Sequence, residues 1–210
     1  YDIVNHSGRD YNYLYAGLYF DWDIGPSGMN NQAYIDTLKN IAITENVILD
    51  DTPFSGVKMI SSQNLNFYAI DNDGTSEDNP GVWDGFSRKE KFQMLSNGIS
   101  RVESNITDAS YVIGAGPIIL KDGDTVRVSF IISADTSLKK LTDNFYAAET
   151  LAEMMNLEDG DFVELPPKDR IANVYPNPIS AGELNIEILL KDDTNITIEM
   201  YDLSGRLVLR

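Results

Sequence analysis

Period-two alternation is the strongest constraint this chain carries. From Thr125 to Ser133, Val126, Val128, Phe130 and Ile132 alternate with Thr125, Arg127, Ser129 and Ile131, a spacing that suits the two faces of a strand and no helix face. From Tyr13 to Asp23 the pattern recurs. Leu14, Ala16, Leu18, Phe20 and Trp22 share one parity, expected to face a core, while Tyr13, Tyr15, Gly17, Tyr19, Asp21 and Asp23 share the other, expected to face outward. Further strands are predicted at 1–4, 41–44, 56–61, 64–70 and 108–114. Loops are predicted at 29–40 and 71–81, a turn at Gly116-Pro117 and a hairpin at Lys121–Asp124.

Two segments change period. Ser87 and Glu90 form the S-x-x-E capping box, which predicts a helix running past Phe92, Met94 and Leu95 to a stop at Asn97-Gly98. Leu138, Leu141, Phe145, Ala148, Leu151 and Met155 recur every three or four residues, which predicts a second helix over 137–155. Many short strands with two helices, and no strand–helix alternation, predict a mainly β fold: a β-sandwich, jelly-roll or Ig-like. Residues 1–156 form its domain, and 157–170, acidic with a Pro166-Pro167 pair, form a linker.

Charge and composition exclude whole classes of function. With 16 Lys and Arg against 33 Asp and Glu, the formal charge of −17 leaves no basic surface for nucleic acid or anionic lipid. No run approaches the ~18 apolar residues of a membrane-spanning helix. The chain has no cysteine, which removes disulfides, thiol nucleophiles and cysteine-based metal sites. Both Tyr1–Val4 and Leu207–Arg210 read as strand, which predicts a piece of a longer protein.

Carboxylates dominate the candidate chemistry. Asp71, Asp73, Glu77 and Asp78 surround Gly74 in a polar loop and offer oxygen ligands for calcium, though not in EF-hand spacing. Asp21 and Asp23, about 6.6 Å apart if both lie in one strand, are a second calcium candidate. That separation also falls in the range of about 6.5–9.5 Å for inverting glycosidases, which keeps a glycosidase-like enzyme as a third-ranked reading. His6, the one histidine, is expected at an exposed strand end; neither a nucleophile elbow nor a phosphate-binding loop is present. The row Tyr11, Tyr13, Tyr15 and Tyr19 would make a sugar-stacking platform if its face were open.

The last forty residues carry landmarks of another kind. Tyr175-Pro176-Asn177-Pro178 opens an alternating strand through Leu184, Ile186, Ile188 and Leu190. A second alternation, Ile196, Ile198 and Met200, leads to Tyr201-Asp202-Leu203-Ser204-Gly205-Arg206, with Val208 following. This order resembles the type A C-terminal sorting domain of cargo for the type IX secretion system of Bacteroidetes. The resemblance covers 171–210 and implies a partial Ig-like sandwich tail, the family's last strands being expected beyond Arg210. It implies recognition by the type IX machinery through Tyr175–Pro178, Tyr201, Asp202, Leu203, Gly205 and Arg206, and a secreted or cell-surface location. The stretches Leu18–Gly25, Asp84–Phe86 with Lys91, and Gly116–Val126 also resemble the β-rich region before such tails in large secreted proteins, some of which carry a subtilisin-like peptidase domain upstream. No peptidase motif is present here.

The leading expectation is therefore a non-catalytic C-terminal accessory region of a secreted protein, with a sorting tail. The alternative is a calcium-dependent module that binds carbohydrate or protein.

Overall fold

The alternating segments do form strands, and the architecture explains why some of them alternate poorly. A computed structural model describes residues 1–155, 157, 170–175, 185–189, 197, 200–201 and 207–209, in two units, Tyr1–Gly160 and Asp161–Arg210. The first unit runs β1 (Asp2–Val4), β2 (Tyr11–Asp21), β3 (Asn31–Asp36), β4 (Ile41–Asn46), β5 (Phe54–Met59) and β6 (Leu65–Asp71). A small hairpin follows, β7 (Thr75–Ser76) and β8 (Asn79–Pro80), then α1 (Arg88–Ser96), β9 (Ile99–Arg101), β10 (Ala109–Leu120), β11 (Thr125–Arg127), β12 (Phe130–Asp135) and α2 (Leu138–Met154). Among the described residues the fold is mainly β and sandwich-like, with two helices and no closed barrel.

Two four-stranded sheets carry the unit, ordered β2-β10-β6-β9 and β12-β5-β4-β3. Between them lies a core of Ala33, Ile35, Ala42 and Val57 from one sheet and Phe67, Ala69, Tyr111 and Ile113 from the other. Each sheet is also covered on its outer face. Helix α1 lays Met94 and Leu95 against Tyr68, Ile70 and Val112, and α2 lays Leu141 and Phe145 against Ile41 and Ile43. The layers are therefore helix, sheet, sheet, helix. Burial of one such side chain, Met94 at zero exposure, stabilises the helix seat by about 1.5–3 kcal/mol.

Strands covered on both faces read as continuous apolar runs instead of alternating ones. That accounts for Tyr111-Val112-Ile113 in β10 and Ile41-Ala42-Ile43 in β4, where neighbouring residues are all buried. Close approach of α1 needs the absence of side chains beneath it. Gly17 and Gly114 are cross-strand partners, and a Cβ on either would collide with Leu95 and with backbone. Both helices begin as the sequence indicates. Ser87 and Glu90 complete the capping box, Gly98 turns out of α1 at φ +68, and the Ser137 side chain caps α2.

Several expectations are corrected. Residues 29–40 do not form a loop. Asn31–Asp36 is a strand whose register with β4 runs from Asn31↔Asn46 to Asp36↔Ile41; its polar members hid an alternation in which Asn31, Ala33 and Ile35 are buried. Gly116-Pro117 does not turn the chain. Its cis peptide lies within β10, where the pairing with β2 shifts register between Ala115 and Ile118. The run 125–133 is two strands, because β11 pairs with β1 and β12 pairs with β5. Val128 is buried between them, whereas Ile132 is exposed. The tyrosine parity of β2 is not an open face: α1 covers part of it, with Tyr15 edge-on to Phe92 at 5.7 Å and Tyr19 against Phe86 at 5.5 Å. In α2 the inward stripe is Leu141, Phe145 and Ala152, while Leu138 and Leu151 are exposed.

In the second unit β13 (Arg170–Tyr175) pairs antiparallel with β14 (Asn185–Leu189), and β15 (Met200–Tyr201) with β16 (Leu207–Leu209). Of the linker expected over 157–170, Leu157 is tied to the first unit by its N–H to Ala152 O and by its carbonyl, which accepts from Ser129 Oγ; residues 158–169 lie outside the described residues.

Candidate functional site

The acidic loop after β6 does not gather its carboxylates. Asp71 turns inward, only 3% exposed. Its Oδ1 accepts from Arg101 Nη2 and from Asn105 N, both at 2.9 Å, and its Oδ2 accepts from Asn79 Nδ2 at 2.9 Å and Asn105 Nδ2 at 2.6 Å. Arg101 is held in turn by Ala69 O and Asn79 Oδ1. Asp73 is exposed. Glu77 and Asp78 line a cleft of about 430 Å³ between the β7–β8 hairpin and the start of α1, with Asp84, Lys89, Glu90 and Gln93. Gln93 bridges the cleft by donating to Glu77 O at 3.4 Å.

Asp21 and Asp23 part company. Asp21 is the last residue of β2, and the chain leaves the strand before Asp23, so the expected common strand face is absent. The Asp23 carboxylate instead lies over Gly28, where it occupies the place a Cβ would take and where φ is +64. Asp21 finds a partner far along the chain. The Asn72 Nδ2 group, in a side chain 2% exposed, donates to Asp21 Oδ1 at 3.2 Å and to Asp108 Oδ1 at 2.9 Å. Asn72 Oδ1 accepts from the buried Ser110 hydroxyl. The outer oxygens of the two carboxylates take Tyr19 OH, at 3.4 Å from Asp21, and the Trp83 indole N–H, at 3.2 Å from Asp108.

Electrostatics follow from that geometry. Burial pushes the Asp21 carboxyl above the usual carboxylate range. The Asn72 bond opposes the shift, and the negative charges of Asp108 and Asp23 add to it. Burial likewise raises the Tyr19 phenol. No Lys or Arg within the described residues pairs with Asp21 or Asp108. Trp83 is 63% exposed, so its ring face stands open beside the carboxylate pair while its N–H is anchored. Among the described residues, no three of Asp, Glu and His converge as a metal site. His6 is exposed.

Asn72, Trp83, Asp108 and Ser110 escaped the sequence reading because they lie on a loop, a turn and a strand far from Asp21 in the chain. The only usable signal was Asp108 at the entrance of an apolar strand, opposite the end of the Tyr-Asp parity.

For the tail, the structure places Tyr175 at the end of β13 and Tyr201 in β15. Pro176, Asn177, Pro178, Asp202, Leu203, Gly205 and Arg206 lie outside the described residues. Residues 173–210 match the family model of the secretion system C-terminal sorting domain. No curated protein and no solved structure matches the chain. The match spans both the Tyr-Pro-Asn-Pro opening and the Tyr-Asp-Leu-Ser-Gly-Arg segment: over residues 173–210 this chain carries a type IX secretion C-terminal sorting domain, the address of a secreted or outer-surface protein.

Proposed function

We propose that this chain is a non-catalytic C-terminal accessory region of a secreted or cell-surface protein, delivered through its sorting tail. The observation that carries the reading is the family match at residues 173–210, which implies interaction with the type IX machinery. The accessory role of the first unit is supported by how its carboxylates are used. Asp71 closes an ion pair inside the fold, and Asp21 and Asp108 are taken up by Asn72. The test is truncation of the full-length gene product before Tyr175 in a type IX-competent host. Export is lost and the protein accumulates inside the cell; unchanged export would sink the reading.

A second reading, a module that binds carbohydrate or protein, is favoured by Trp83. An open indole face beside carboxylate acceptors suits a sugar ring, which stacks by its C–H face and donates its hydroxyls. Trp83→Ala would then abolish glycan-array signals given by the parent chain, and an array blank for both removes the carbohydrate version. The calcium-dependent form would draw on Asp21 and Asp108, whose carboxylates share Asn72. A melting temperature that does not move with millimolar calcium removes it.

A further inference from the structure

Four buried side-chain polar atoms find no hydrogen-bond partner among the described residues: Asn31 Oδ1, Thr44 Oγ1, Ser55 Oγ and Gln63 Oε1. Buried polar groups are ordinarily paired, and most of the others here are. Asn46, the strand partner of Asn31, donates to Ile24 O and accepts from the Ile48 and Leu49 N–H groups. The first three unpaired atoms differ from such groups in sharing one place.

Register brings them together. Thr44 of β4 is the direct partner of Ser55 in β5 and of Ala33 in β3, and Asn31 lies two residues from Ala33 on the same face. Direct partners project from one side of a sheet with Cβ atoms about 4.5–5.5 Å apart, and a diagonal neighbour lies about 7–8 Å away. That side faces the other sheet, because Ala33, Ala42 and Val57, which share the parity, belong to the core between the sheets. Asn31, Thr44 and Ser55 are 1%, 0% and 4% exposed, so bulk solvent does not reach them. The Asn31 amide is oriented by its bond: Nδ2 donates to Trp22 O at 3.0 Å, which leaves the acceptor oxygen over.

We propose that these three side chains hold ordered internal water between the two sheets. One molecule bridges the Thr44 and Ser55 hydroxyls, and a second joins Thr44 to Asn31 Oδ1. Each water then has two protein partners, the minimum for an ordered internal site. Two hydroxyls that are strand partners but do not bond each other leave the gap that a water spans, and each can both donate and accept. Their neighbours are short: register sets Ala33 beside Thr44 and Ala134 beside Ser55. The place is therefore roomy as well as polar, the two conditions for internal water. All three groups are neutral, so the ligand they suit is water and not a divalent cation, which calls for carboxylates.

A high-resolution crystal structure of the 210-residue chain and the melting of two variants test the proposal. Ordered density is expected at hydrogen-bond distance, about 2.7–3.0 Å, from both Thr44 Oγ1 and Ser55 Oγ. Thr44→Val and Ser55→Ala each remove one hydroxyl without adding bulk. Where the hydroxyls hold water, each change leaves that water short of a partner and lowers Tm by about 2–4 °C. Where they stay unpaired, each change removes a desolvation cost and Tm rises instead. Because both bond the same molecule, the double variant falls by less than the two single losses together. The crystal of the parent chain decides the matter even where a variant does not fold. A dry interior at Thr44 and Ser55, a Tm that rises in either variant, or losses that simply add would overturn the proposal.

Discussion

Arg101 Nη2 sits 2.9 Å from Asp71 Oδ1 and ties β9 to β6, the strand it joins in parallel. The parallel pairing is short, with partners Phe67↔Ile99 and Tyr68↔Arg101 only. The guanidinium reaches past it to Ala69 O and Asn79, and the Asp71 carboxylate collects Asn79 and Asn105. Four segments thus meet on one buried ion pair. Removing the cation alone leaves the carboxylate buried beside amides that cannot neutralise it. Arg101→Met is expected to destabilise the first unit by roughly 3 kcal/mol, with a fall in Tm of about 6–12 °C. Thermal melting measures it. A change of a degree or less would mean that Asp71 is hydrated or neutralised some other way.

Helix α1 is short, and its start is held by reciprocal bonds. The Glu90 N–H donates to Ser87 Oγ at 3.3 Å, and the Ser87 N–H donates to Glu90 Oε2 at 2.8 Å. Ser87→Ala removes the first of these and is expected to cost about 1 kcal/mol, or about 2–4 °C in Tm. Hydrogen exchange localises the effect. Amides of Arg88–Lys91 lose protection while those of β10 keep theirs, because the helix is seated by Met94 and Leu95 further along.

That box was legible in the sequence because its two residues are neighbours, as was the existence of α2 and β2, though not which faces of them would be covered. What could not be read depends on partners distant in the chain. Asn31–Asp36 looks polar until the segment 102–107 arrives to bond it. The run 125–133 keeps perfect alternation, yet it is shared between two sheets because β1 claims its first half. The tyrosine face of β2 reads as solvent-facing, since nothing in residues 11–21 announces that Leu95 will lie over Gly17. The candidate site failed for the same reason. Spacing within one strand favoured Asp21 with Asp23, and the fold pairs Asp21 with Asp108 through Asn72. The tail was the opposite case: its landmarks are local strings, and the family match found them where they were expected.

Where the two sheets meet, the Trp22 indole N–H donates to the Tyr111 hydroxyl at 3.1 Å, and the Trp22 ring stacks on Phe20 at 5.3 Å. Tyr111 is fully buried, and burial pushes its phenol far above the ordinary value, so it stays neutral and able to accept. Tyr111→Phe keeps the ring packing against Phe67 and Phe20 and removes only the acceptor. The expected cost is about 1–3 kcal/mol, the penalty for a half-buried donor without a partner. Tryptophan emission gives a second readout, since the indole loses its bond with no change in its aromatic neighbours. A loss of stability without any spectral change would point to repacking instead.

Asp21 gives a prediction whose sign depends on pH. Burial, and then the charges of Asp108 and Asp23, raise its pKa in the folded state above the ordinary carboxylate value. A carboxyl with a raised folded value favours folding while it is protonated in both states. That advantage is complete below the unfolded value and is lost as pH rises through the folded one, so at neutral pH the ionised Asp21 opposes the fold. Asp21→Asn removes the charge and keeps an oxygen to accept from Asn72. The variant should melt above the parent at pH 7, and the gap should close as pH falls toward the unfolded carboxylate value, about 4. A variant that melts below the parent at pH 7 would show the ionised carboxylate to be stabilised by something it binds, and would turn attention to the open Trp83 face beside Asp108.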